Sequence, residues 1–116
     1  MKTTQFIACA LLIVLLTGIL GTASASPLRV YAVSSETGKA VPNTQICAYV
    51  TANSNKALVW SNCCRTNAGF CSFEVPGQYT GQRYTLYVYA SANVNNKKIS
   101  NSYLGRFKNT VGLRMK

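Results

Sequence analysis

The sequence predicts an all-β fold, a small antiparallel β-sandwich of about seven strands held by disulfides. Three observations carry this. Apolar and polar residues alternate with a period of two almost throughout residues 28–115, and no apolar stripe recurs at helical spacing. Short runs rich in β-branched and aromatic residues are punctuated by Gly, Pro and Asn turn signals. Four cysteines, Cys47, Cys63, Cys64 and Cys71, fall in a domain of only about ninety residues, whose core is modest.

Leu28–Val33 reads as the first strand, and Glu36-Thr37-Gly38-Lys39 as a turn. After the break at Pro42-Asn43, Gln45–Ala52 alternates, with Ile46, Ala48 and Val50 on one face and Cys47, Tyr49 and Thr51 on the other. Asn53–Lys56 is a loop, and Ala57–Ser61 a short strand carrying the single Trp, Trp60. Asn67-Ala68-Gly69 turns the chain into Phe70–Val75, which Pro76-Gly77 ends. Arg83–Ala92 is the longest predicted strand; Tyr84, Leu86, Val88 and Ala90 share one face, Thr85, Tyr87 and Tyr89 the other. A polar loop over Asn93–Lys97 precedes two last strands, Ile99–Leu104 and Thr110–Met115.

Residues 1–25 read as a signal peptide: Lys2 supplies a positive start, Phe6–Leu16 is an unbroken apolar run, and Thr22-Ala23-Ser24-Ala25 offers small residues at the exit. A membrane anchor is the competing reading, but the run is short against the ~20 residues a span requires. Cleavage after Ala25 leaves residues 26–116 as one secreted, extracellular domain with no transmembrane segment. Its formal charge is 11 − 2 = +9, because Lys2 departs from the twelve cations while both Glu remain.

In a secreted domain four cysteines read as two disulfides. A metal site would need all four thiolates, because the chain has no His, and their spacing lacks paired C-x-x-C units. Adjacent Cys63 and Cys64 do not reach relaxed disulfide geometry with each other. Cys47 therefore pairs with Cys63 or Cys64, and Cys71 takes the other; spacing leaves both arrangements open.

Val30–Val50, with its Thr37-Gly38-Lys39-Ala40-Val41-Pro42 turn, resembles the opening hairpin of prealbumin-like domains, the sandwich of transthyretin and carboxypeptidase regulatory-like modules. Thr66–Pro76 is similar to their T-D-x-x-G-x-F-x-V-P segment, and Arg83–Ala90 to the Y-x-L-x-V-x-A strand that follows. The resemblance covers roughly residues 28–92. It implies a sandwich of structural or binding type and transfers no activity. The cysteine cluster and Asn67, in place of an acidic turn residue, depart from the pattern.

The residue inventory argues against catalysis. Without His there is no Ser-His-Asp triad and no His base or ligand. Glu36 and Glu74 are the only carboxylate side chains, and both read as surface residues. No Ser or Thr has an evident activating partner, and no Gly-rich phosphate loop occurs. The expectation is a non-enzymatic protein without cofactor or metal.

Two candidate binding features remain. Lys97, Lys98, Arg106, Lys108, Arg114 and Lys116 crowd the last twenty residues with no acid among them. If Arg106 with Lys108, and Arg114 with Lys116, lie on strands, each pair points to one side while Val111, Leu113 and Met115 face the core. Such an excess suits an anionic partner, although solubility and edge-strand protection are the plainer uses of surface charge. The aromatic candidates are Tyr87, Tyr89 and Trp60, joined by Tyr31 and Tyr49 if the strands align; core packing competes for all of them. The functional expectation is a secreted cationic binding protein acting on an anionic cell surface, host-defence or toxin-like. On this reading the anion is a phospholipid membrane, a sulfated or acidic glycan, or an acidic extracellular protein; the alternative is a recognition module, effector or inhibitor that binds a glycan or protein through exposed aromatics. Nucleic acid is not an expected partner.

Overall fold

A computed structural model describes residues 24–116, so all but the last two residues of the predicted leader lie outside the described residues. Seven strands follow one another: β1 (Ala25–Ser34), β2 (Thr44–Ala52), β3 (Leu58–Thr66), β4 (Phe70–Pro76), β5 (Tyr84–Val94), β6 (Lys97–Gly105) and β7 (Thr110–Met115). One turn of 3₁₀ helix, Gly77–Tyr79, lies between β4 and β5. The strands form a three-stranded sheet in the order β4-β1-β7 and a four-stranded sheet in the order β3-β2-β5-β6. Every pairing is antiparallel except β1 with β7, which is parallel. That pair departs from a purely antiparallel sandwich, and it arises because the last strand returns beside the first.

The expected alternation places the core. Leu28, Val30 and Ala32 of β1, Cys71, Phe73 and Val75 of β4, and Val111, Leu113 and Met115 of β7 are buried from one sheet. Ile46, Ala48 and Val50 of β2 and Leu86, Val88, Ala90 and Ala92 of β5 meet them from the other. Removing these side chains from water is the main favourable contribution to folding. Thr44, the one buried polar residue among those described, donates from Oγ1 to the Val41 carbonyl at 2.8 Å.

β3 is longer than the sequence indicates, running on through Asn62, both cysteines, Arg65 and Thr66. Its register along β2 brings Cys47 directly opposite Cys63, with Cα atoms 4.0 Å apart, and these two form one disulfide. Cys64 points to the opposite face and bonds Cys71 of β4, tying the two sheets together. Adjacency in sequence thus becomes opposition in space, and this selects between the two open pairings.

Turns fall where the signals place them, with one sharpened. Val94 pairs with Lys97, so the polar loop after β5 is a two-residue hairpin through Asn95 and Asn96. Both have positive φ, 53° and 63°, as a type I′ turn requires and Asn tolerates. Gly69 is a second fixed point: its φ is +81°, and a Cβ there would strike the side chain and backbone of Ala40.

Candidate functional site

One side of the four-stranded sheet faces the core. Across the other, the strand registers place uncharged and aromatic side chains in rows. Leu104, Tyr87, Tyr49 and Ser61 form one row across β6, β5, β2 and β3; Ser102, Tyr89, Cys47 and Cys63 form the next. Thr85, Thr51 and Leu58 lie on the far side of the tyrosine row. The rings of Tyr49 and Tyr87 stack, with centroids 6.0 Å apart and planes 27° from parallel. Leu104 is 69% and Leu58 58% exposed, values high for leucine in a small domain. Among the described residues no further strand or helix covers this face.

Tyr49, Tyr87 and Tyr89 are therefore brought together as the alternation implies. The other two aromatic candidates are not. Trp60 lies opposite Val50 and faces inward, its ring edge-on to Phe73 at 6.1 Å. The cause is strand parity: residues opposite a core-facing position share its face. Tyr31 lies on the outer surface of the three-stranded sheet, tilted against Phe70 at 5.7 Å.

At the end of this open face where β2 starts and β5 finishes, Gln45, Arg65, Ser91, Asn93 and Lys98 line a shallow polar depression of about 110 Å³, together with Asn43 and Ala92. Arg65 Nη2 donates to Gln45 Oε1 at 2.8 Å, which fixes one edge of the guanidinium. Arg65 reaches this place because β3 extends past the cysteines. At the other end of the β2–β5 pair, Ala52, Asn53, Ser54, Gln82, Arg83 and Tyr84 line an open cleft of about 610 Å³. Asn53 is locked there: its Nδ2 donates to the Gln82 carbonyl at 3.0 Å, and its Oδ1 accepts from Thr85 Oγ1.

The six C-terminal cations do not make one patch. Lys97 and Lys116 line a separate recess of about 210 Å³ with Glu36, Ser34 and Asn95. Lys98 turns toward the open face beside Asn93. Arg114, opposite Val33 on β7, lies exposed on the outer surface of the other sheet. Arg106 and Lys108 are not on a strand, because β6 ends at Gly105 and the chain turns before β7. They flank Phe107, which packs against the core. Tyr103 organises them: its hydroxyl donates to the Arg106 carbonyl at 2.7 Å, and Lys108 Nζ stands 4.5 Å above its ring. Val111, Leu113 and Met115 do face the core.

Glu36 sits in the β1–β2 turn and Glu74 on the outer surface of β4, both exposed. Among the described residues no group of His, Cys, Asp or Glu could hold a metal ion, and no helix is long and apolar enough to cross a membrane. Arg65, Gln45, Asn93, Leu104 and Leu58 enter the site only through structure; isolated polar residues and a lone leucine on an edge strand give no periodic or motif signal. Comparison with protein-family models, curated proteins and solved structures finds no match to this chain.

Proposed function

We propose that this chain is a secreted, non-enzymatic binding protein whose recognition surface is the open face of the four-stranded sheet. The observation that carries the reading is the stacked Tyr49–Tyr87 pair beside Tyr89, Leu104 and Leu58 on a face that nothing in the described fold covers. Tyrosines held on a rigid sheet offer large contact area at small entropic cost, the property that makes them binding anchors. Secretion is supported by the leader-like first 25 residues and by two disulfides, which persist in oxidising compartments. The absence of catalysis is supported by the lack of His and by the two Glu lying on different parts of the surface. Kinship with prealbumin-like domains rests on the turn motifs at Thr37–Pro42 and Thr66–Pro76, which here border the strands of a two-sheet sandwich.

Eleven cations against two carboxylates in the described chain favour an anionic partner. That charge sustains a second reading, host-defence or toxin-like action on an anionic cell surface. One experiment tests both. Purified, oxidised protein is assayed for leakage of anionic phospholipid vesicles and for binding to a glycan array, each across a salt series, alongside Tyr49→Ala/Tyr87→Ala. Glycan binding that the double substitution abolishes, without vesicle leakage, supports the sheet face. Leakage that survives the substitution and falls with salt supports the second reading and removes the first.

A further inference from the structure

Three features lie along one line over the open face and its two ends. The polar depression with Arg65 and Lys98 stands at one end of the β2–β5 pair, the tyrosine rows occupy the middle, and the cleft with Arg83, Asn53 and Gln82 stands at the other end. From Gln45 to Ala52 the track is about 24 Å long, seven steps of ~3.4 Å along a strand. It is open rather than enclosed. Its chemistry changes in order from cationic, through aromatic, to amide-rich and cationic again. No carboxylate side chain lies on it, because Glu36 belongs to the β1–β2 turn and Glu74 to the opposite sheet.

Each part of this arrangement answers to a part of one ligand. The half-exposed tyrosine rings offer aromatic surface for contact with the C–H faces of pyranose rings. The amides of Asn93 and Gln82 and the hydroxyls of Ser91 and Thr51 are donors and acceptors suited to sugar hydroxyls, while the bonds of Asn53 to Thr85 and of Gln45 to Arg65 hold their neighbours in place. Arginine offers five N–H donors in a fork that matches carboxylate or sulfate, and Arg65 commits one of them to Gln45. A strand-length, shallow track favours an extended polymer over a compact small molecule, which takes an enclosed apolar pocket. Lipid headgroups alone would leave the tyrosine rows without a role.

We infer that the ligand is an acidic polysaccharide bearing carboxylate or sulfate groups, lying along β2 and β5 with its sugar rings on Tyr49, Tyr87 and Tyr89 and an acidic substituent at Arg65 and Lys98. This rests on the sheet face being the recognition surface. It names the ligand class and assigns Arg65, which the C-terminal charge cluster does not include, as an anion-binding residue.

The test titrates the intact oxidised protein with polygalacturonate, a heparin-type sulfated chain and neutral dextran, from about 0.05 M to about 1 M salt, where the Debye length falls to ~3 Å. At least one acidic chain should bind, dextran should not, and affinity should fall with salt. An acidic octasaccharide should bind more tightly than the matching disaccharide. Arg65→Gln/Lys98→Gln and Tyr49→Ala/Tyr87→Ala should each weaken binding about tenfold or more, a loss of one well-made contact. Arg29 of β1 and Arg114 of β7 both lie exposed on the outer surface of the three-stranded sheet, so Arg29→Gln/Arg114→Gln removes the same charge there and should change affinity less than threefold. Equal losses in all charge variants, with the tyrosine variant silent, would reduce the interaction to undirected charge and overturn the inference. So would equal binding of dextran, or no binding of either acidic chain. If a tyrosine-dependent protein or vesicle interaction were found instead, the sheet-face reading would stand while the polysaccharide assignment fell.

Discussion

The two disulfides enclose segments that do not overlap, and this makes their removal a quantitative test of the fold. Cys47 and Cys63 are 16 positions apart, and Cys64 and Cys71 are 7 apart. Treating each bridge as a constraint on the unfolded chain gives about 3.1 kcal/mol for the first and about 2.4 kcal/mol for the second. Cys71 is only 2% exposed, so its truncation also leaves a small void costing ~1 kcal/mol. The Cys47→Ala/Cys63→Ala and Cys64→Ala/Cys71→Ala variants should therefore each lose about 3 kcal/mol, a fall in Tm of roughly 12–24 °C for a domain of this size. Because the closed loops are separate, the losses should nearly add, to about 6 kcal/mol in the quadruple variant. A domain of about ninety residues has on the order of 5–14 kcal/mol in all, so the quadruple variant should sit at the edge of folding. Guanidinium unfolding followed by tryptophan fluorescence, with Trp60 packed on Phe73, reads this directly. A quadruple variant that unfolds cooperatively within about 2 kcal/mol of the parent would refute the claim that both bridges close the native fold.

Mild reduction followed by alkylation should label Cys47 and Cys63 before Cys64 and Cys71, since Cys63 is exposed and Cys71 buried; peptide mass spectrometry showing the reverse order would contradict the assigned faces. Gly69→Ala should cost about 2–4 kcal/mol in thermal unfolding, from left-handed strain together with the clash against Ala40. Trp60→Ala should lower stability by about 2 kcal/mol, less than the ~3–5 kcal/mol of a fully buried Trp because the ring is half-buried, yet leave any binding at the open face intact, because the ring faces Phe73. Leu104→Ser should change stability by less than about 0.5 kcal/mol while weakening binding at that face, since the side chain stands largely in solvent.

Sequence alternation is enough to assign inside from outside on β2 and β5, because a period of two admits only two registers and one of them buries every aliphatic residue. Ile46, Ala48 and Val50 against Cys47, Tyr49 and Thr51 leave no ambiguity. It is not enough on edge strands. β3 carries Ser61, Asn62, Arg65 and Thr66, too polar to announce a strand, and it is β2's ladder that fixes them in place. Trp60 falls in this blind region, which is why its inward face was legible only from its partner Val50. The Asn95–Asn96 turn was legible in kind but not in tightness, since two adjacent Asn suit either a loose loop or a type I′ hairpin.

The cations show the same limit in a form that bears on function. Proximity in sequence suggests that Lys97 to Lys116 act together, but β6 runs nine residues and the chain then reverses into β7. At ~3.3 Å per residue a strand of that length separates its ends by more than 25 Å, well beyond the Debye length of ~8 Å at physiological salt. Arg106 and Lys108 therefore cannot reinforce Lys97 and Lys98 in holding one small anion. Arg65 and Lys98, 33 positions apart in the chain, line the same depression because β3 and β6 are the two edges of one sheet and both present an outward residue at that end. A mutational scan guided by the C-terminal cluster alone would pass over Arg65. The prediction that separates the two views is direct: Arg106→Gln/Lys108→Gln should leave affinity for an acidic polysaccharide within about threefold, whereas Arg65→Gln/Lys98→Gln should reduce it about tenfold. The opposite ranking would mean that the β6–β7 turn, with Tyr103 beneath Lys108, holds the ligand and that the sheet face does not.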